Sequence, residues 1–180
     1  MKHLYFIRHG LSEFNKAHKW AGSSDTPLAP EGHVQAKLAG ENAKKQGLAF
    51  DIILSSPLKR AHDTALYVAT EVGYPHDAIV LDERLIERKF GALEGRKDLI
   101  ASTKYVLDES AIDKYEGVER LVDLQKRADE VLDHVYSLSH DTVLIVGHGA
   151  FGRALRRSIK NDPLHIRGKP YENAILVKLI

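Results

Sequence analysis

Apolar runs and helix-period stretches alternate along the chain. "HLYFI" at 3–7 reads as a short buried strand, and 11–28 is a long loop rich in turn formers such as Gly22, Ser23, Asp25 and Pro27. Pro30 and Glu31 suit a helix first turn, with a pattern through Val34 and Leu38 to about Gln46 and a stop at Gly47. "DIIL" at 51–54 is a second strand, and Ala61, Ala65, Val68 and Val72 place a helix between Pro57 and Gly73. "AIVL" at 78–81 predicts a third strand, and 83–118 reads as loop with one or two short helices. Leu121, Leu124, Ala128, Val131, Leu132, Val135 and Leu138 mark an amphipathic helix. "TVLIV" at 142–146, a helix from about Ala150 to Lys160 and a last strand in "NAILVKLI" complete the pattern.

Strands that lack clean alternation and are separated by helices predict a three-layer α/β/α sandwich around a mostly parallel central sheet, in a single domain. Ligands of such sheets sit beyond the carboxyl ends of the strands. The residues that follow each strand are therefore the first place to look for chemistry. Strand one is followed by Arg8, His9 and Gly10, and strand two by "SSPLKR", which holds Ser55, Ser56 and Arg60. Strand three leads to Glu83, Glu87 and Arg88, and strand four to "GHG", with His148 at a helix start.

Composition narrows the partners. Across 180 residues, 26 Lys and Arg face 25 Asp and Glu, so no global field favours nucleic acid or anionic lipid. Cysteine is absent, which removes disulfides and thiolate chemistry. No apolar stretch is long enough to span a bilayer and no secretory leader is visible, so a cytoplasmic location is expected.

The residues at the strand ends suit phosphoryl transfer through histidine. Arginine offers a planar fork of donors to phosphate oxygens, and nearby cations keep an imidazole neutral and nucleophilic. A carboxyl group, Glu87 or Glu83, is needed to protonate the leaving oxygen and then to activate water. Amides at the helix start after His148 add anion-binding capacity. Arg8 is the telling residue, because a buried guanidinium needs a partner: Glu13, Asp25 or a visiting anion.

"FIRHG" with Glu13 and Asn15, "SSPLKRAHDTA", "ERLIERKFGALEG" and "VLIVGHG" together resemble the signature blocks of the histidine phosphatase superfamily, in its phosphoglycerate mutase-like branch. The resemblance implies a phosphohistidine intermediate and neither metal nor other cofactor. It matches His9 to the nucleophile, Arg8, Arg60 and His148 to the phosphate pocket, and Glu87 to the proton donor. It also matches Asn15, Gly22 and Ser23 to a substrate loop and Arg88 to a substrate-contacting arginine. Phe90 stands where mutases usually carry tyrosine, and "GVERLVD" keeps Glu119 but has Arg120 where the family has serine. The segment 96–118 lacks the paired arginines of cofactor-dependent mutases, which favours hydrolysis.

The expected activity is a phosphomonoesterase of the histidine acid phosphatase type acting on small phosphorylated metabolites, as monomer or homodimer. Mutase-type transfer and an inactive phospho-ligand binding module are the alternatives. A metal site from His9, His62 and His148 is disfavoured because ligand spacing is lacking. Arg153, Arg156, Arg157 and Lys160 read as a solvated basic face rather than a nucleic-acid surface. A Ser-His-Asp hydrolase lacks its Gly-x-Ser-x-Gly elbow.

Overall fold

The computed structural model describes residues 2–97, 115–160 and 171–180. Five strands form one sheet: β1 (His3–Arg8), β2 (Ile52–Ser55), β3 (Val80–Leu81), β4 (Thr142–Gly147) and β5 (Leu176–Lys178). Their order is β3-β2-β4-β1-β5, and every pairing is parallel except β5 against β1. The helices are α1 (Glu13–Lys16), α2 (Pro30–Lys45), α3 (Lys59–Val72), α4 (Leu121–Ser137) and α5 (Gly149–Lys160).

Successive strand residues point to opposite faces, so each central strand feeds two cores. Leu4, Phe6, Val143 and Ile145 pack with Val131 and Val135 of α4 and Phe151 and Leu155 of α5. Ile7, Ile53, Leu144 and Val146 pack on the other face, with Ala61, Ala65 and Val68 of α3. This is the expected α/β/α sandwich, and β2 is buried at all four positions, as a strand covered on both sides should be.

The elements differ from expectation in detail. The loop at 11–28 contains α1, which Ser12 caps by accepting from the Asn15 amide at 3.2 Å. The third strand is only Val80–Leu81, preceded by a 3-10 turn at His76–Ala78, and the last is only Leu176–Lys178. Between 83 and 118, single 3-10 turns occupy Glu83–Leu85 and Gly91–Leu93, while the reading of 98–114 falls outside the described residues. On α2, Val34 and Leu38 are exposed, and the buried positions are Gly32, Ala36, Ala39, Gly40 and Ala43. The helix lies close against α3, where an added Cβ at Gly40 would sit 2.9 Å from the Tyr67 carbonyl oxygen. Small residues, not the branched ones, face that contact.

The feature that positions the site is the pairing of β1 with β4. Arg8 lies opposite Gly147, so His9 and His148 leave the sheet side by side. Ser55 pairs with Val146, which brings Ser56 to the same edge. Beyond His9 the chain passes very close to α2: a Cβ at Gly10 would lie 2.4 Å from the Gly32 carbonyl oxygen, and one at Gly32 2.1 Å from that of Leu11. Only a paired absence of side chains permits this approach.

Candidate active site

A cavity of about 490 Å³ opens at the carboxyl edge of the sheet, lined by Arg8, His9, Arg60 and Glu87 among others. His9 and His148 are buried, with ring centroids 5.0 Å apart. His9 Nδ1 lies 2.6 Å from the Gly10 carbonyl oxygen, which can only accept, so Nδ1 carries the proton. Nε2 therefore presents its lone pair, and Arg60 Nε–H donates to it at 3.3 Å.

His148 is oriented by Ser56. Its Nε2 lies 2.9 Å from Ser56 Oγ, which also accepts from the Leu58 amide at 3.3 Å. The other ring nitrogen, Nδ1, is buried with no hydrogen-bond partner. Burial, reinforced by Arg60 and Arg8, holds the pKa of both imidazoles well below the ordinary 6.5. Both rings are uncharged at neutral pH.

The two arginines differ. Arg60 of α3 is fully buried, and its guanidinium donates to the carbonyls of Ser24 and Gly22, each at 2.7 Å. Burial draws its pKa down to about 10 against the opposing pull of Glu87, Asp25 and Glu94, and it remains a cation. Arg8 donates to the Tyr171 carbonyl at 3.0 Å, while its Nε is buried with no partner. Neither Glu13 nor Asp25 neutralises it, since Asp25 instead accepts from the Lys59 amide at 2.7 Å. The carboxylate that acts on Arg8 is Glu87.

Glu87 sits on the start of α5. Its carboxylate accepts from the amides of Ala150 and Phe151 at 3.1 Å and of Arg88 at 2.9 Å. The helix N-terminus, expected to bind a substrate anion, is thus already occupied by a protein carboxylate. Glu83 is exposed and does not line the cavity, whereas Glu87 does. Arg127 fixes the approach to it by donating to the carbonyls of Arg84 and Ile86 while it forms an ion pair with Glu119 at 2.8 Å.

The remaining expected residues divide. Asn15 and Gly22 line the cavity. Ser23 does not; its amide and hydroxyl both donate to Glu94, at 2.9 and 3.1 Å. Arg88 is also outside the cavity: it is 1% exposed, and its Nε donates to the Glu119 carbonyl at 2.8 Å. The short link between Glu87 and Arg88 turns consecutive side chains to opposite sides.

Two residues escaped the sequence reading. Glu94, taken singly, reads as solvated surface. In the fold it accepts from Ser23, from Ser24 Oγ at 2.5 Å and from the Phe90 amide at 2.9 Å. Burial raises its pKa, but these donors outweigh burial and hold it below the usual carboxylate value. Gly22, at φ +50, lies so close to it that a Cβ would be 2.1 Å from Glu94 Oε1. Glu94 thus fixes the loop whose carbonyls hold Arg60. Arg153 was read as part of a solvated face, yet it lines the cavity; Arg157 bonds Gln125 at 2.7 Å, and Arg156 lies over the Tyr171 ring at 5.1 Å. The helical spacing from Gly149 to Arg153, one turn, was the available signal.

The sequence profile of the histidine phosphatase superfamily (branch 1) matches residues 4–179. The chain belongs to this superfamily. Among curated relatives, a Hydrogenobacter thermophilus protein provisionally named phosphoserine phosphatase 2 is 37% identical over 156 residues, covering 83% of this chain and 74% of that one. A 2,3-bisphosphoglycerate-dependent phosphoglycerate mutase of Brucella canis is 35% identical over 161 residues, 84% of this chain and 78% of the mutase. Among solved structures, a mycobacterial glucosyl-3-phosphoglycerate phosphatase complexed with VO3 superposes with a TM-score of 0.85 at 26% identity, covering 99% of this chain and 92% of that one. Histidine phosphatase chemistry thus covers both hydrolases and mutases among these relatives. Among the described residues, no helix is long and apolar enough to cross a membrane.

Proposed function

We propose that this protein is a phosphomonoesterase of small phosphorylated metabolites that works through a phosphohistidine at His9. The observation that carries this reading is an uncharged imidazole whose Nε2 lone pair faces a buried arginine, beside a second buried imidazole and an arginine, Arg8, whose Nε is buried with no partner. The phosphorylated substrates in the relatives' names, phosphoserine and glucosyl-3-phosphoglycerate, support a small metabolite.

A phosphate dianion entering the cavity accepts hydrogen bonds from Arg8, from the His148 ring and from the Arg60 Nε–H, which releases His9 Nε2. That lone pair attacks phosphorus, the P–O ester bond breaks, and its electrons go to the departing alcohol oxygen, which takes a proton from Glu87 in its acid form. Water then gives its proton to the Glu87 carboxylate as its oxygen attacks phosphorus. The P–N bond breaks, electrons return to Nε2 and inorganic phosphate leaves. Developing charge on the transferring group meets fixed arginine donors, so little reorganisation is required.

Rapid acid-free quenching with a labelled phosphomonoester tests the reading. An acid-labile, alkali-stable phosphoenzyme is expected, absent in His9→Ala. Steady phosphate release without any such adduct in the wild type overturns it. Incubation of 3-phosphoglycerate with and without 2,3-bisphosphoglycerate separates hydrolysis from mutase transfer.

A further inference from the structure

The cavity carries more cationic charge than a phosphomonoester needs. Four cationic side chains line it, Arg8, Lys19, Arg60 and Arg153, against one carboxylate, Glu87. Asp25 and Glu94 act on Arg60 from behind the cavity, and a dianionic phosphate answers Arg8 and Arg60. Arg153 is thereby left for another part of the substrate.

Arg153 is where that charge is least satisfied. Nothing in the described protein accepts a hydrogen bond from its guanidinium, and its Nε is buried without a partner. Burial lowers its pKa, with Glu87 opposing, yet arginine stays charged, and leaving such a group unanswered is costly. It stands one turn along α5 from Gly149, and Gly149 packs against both Arg8 and Glu87, where an added Cβ would lie 3.5 Å from Arg8 Nε and 3.7 Å from Glu87 Oε2. Because Glu87 serves the departing oxygen, Arg153 lies on the leaving-group side of the reacting bond. Trp20 Nε1 and Asn15 Oδ1, both buried and unpartnered and both from cavity-lining residues, add one donor and one acceptor.

We infer that Arg153 binds an acidic group on the leaving alcohol, so that the preferred substrates are phosphorylated hydroxy acids or amino acids whose carboxylate lies within a few bonds of the ester oxygen. Trp20 and Asn15 supply the neutral hydrogen bonds that orient the same fragment. This rests on the phosphomonoesterase reading and adds a substrate class to it. A neutral alcohol would leave Arg153 unpaired in a partly dehydrated cavity, which gives discrimination by an unmade charged hydrogen bond rather than by size.

Paired substrates that differ by one carboxylate test this. Phosphoserine is compared with phosphoethanolamine, and 3-phosphoglycerate with glycerol 3-phosphate, each by kcat/KM. The wild type is expected to favour the acid of each pair by about 10- to 100-fold, the scale of one charged hydrogen bond. Arg153→Gln should collapse this ratio toward unity, mainly through KM, and Arg153→Lys should restore part of it. A ratio near unity in the wild type, an unchanged ratio in Arg153→Gln, or equal losses on both members of a pair would each overturn the acid subsite. In all three results phosphate is still released by the wild type, whereas failure of the underlying reading appears as no release from any of the four esters.

Discussion

Arg60 donates its Nε–H to His9 Nε2 at 3.3 Å, and so covers the nitrogen that we propose attacks phosphorus. The other guanidinium nitrogens of Arg60 are held by the Gly22 and Ser24 carbonyls, so this contact is fixed by the fold rather than by a flexible side chain. This cation adds to burial in keeping the imidazole neutral.

Arg60→Ala is expected to lower kcat/KM by about 10²- to 10³-fold, the usual loss on removing one donor that stabilises developing charge. His9→Ala should leave no detectable phosphoenzyme. Arg60→Lys keeps the charge but not the three-directional fork, and should recover only a small part of the loss. Single-turnover phosphate release measures all three, and wild-type rates in Arg60→Ala would remove this arginine from the reaction.

Glu87→Gln separates leaving groups. An alkyl phosphate, whose alcohol needs a proton, should slow by about 10²- to 10⁴-fold, while p-nitrophenyl phosphate slows far less. The dependence of kcat on leaving-group pKa should therefore steepen in the variant. Parallel losses on both ester types would assign Glu87 to capping α5 alone.

Glu94 does not itself line the cavity, yet it holds the loop at Gly22–Ser24. Glu94→Ala should reduce kcat/KM by about 10- to 100-fold, and Glu94→Gln, which keeps one acceptor oxygen, by less. The diagnostic is the acid limb of the pH–rate profile. With Arg60 less firmly placed, the His9 imidazole loses part of the repulsion that lowers its pKa, so the limb should move to higher pH. A drop in activity with an unmoved limb would mean a general loss of folding.

The two buried imidazoles also make stability depend on pH. Each has a folded pKa well below 6.5, so between that value and its folded value the unfolded chain binds a proton that the folded chain does not. Their stabilising contribution is complete above about pH 6.5 and declines as pH falls below it, on the order of 1 kcal/mol per pH unit for each. Thermal unfolding between pH 5 and 8 should show this slope, and His148→Gln should flatten it. A Tm that rises on acidification would contradict the burial of both rings.

The strand-end residues were legible because parallel sheets put chemistry at one edge, and Arg8, His9, Arg60, Glu87 and His148 all converge there. Arg88 and Ser23 lie outside the cavity lining, because adjacency in sequence says nothing of which side a turn presents. Glu94 and the exposed Val34 and Leu38 were missed for a related reason: periodicity gives a face of an element but not what that face meets.

By itself the amino-acid order determined the alternation of strands and helices, the absence of thiol chemistry, and which titratable groups would stand just past each strand. Those are local properties, set by backbone preference and side-chain polarity within a few residues. The tertiary structure alone decided that β1 pairs with β4, so that Arg8 meets Gly147 and two distant imidazoles become neighbours. It also decided that Glu87 turns its carboxylate to the α5 amides while Arg153 Nε stays buried without a hydrogen-bond partner among the described residues. Register and long-range packing fix those partners, because a charge is satisfied only by what the fold brings within hydrogen-bond reach.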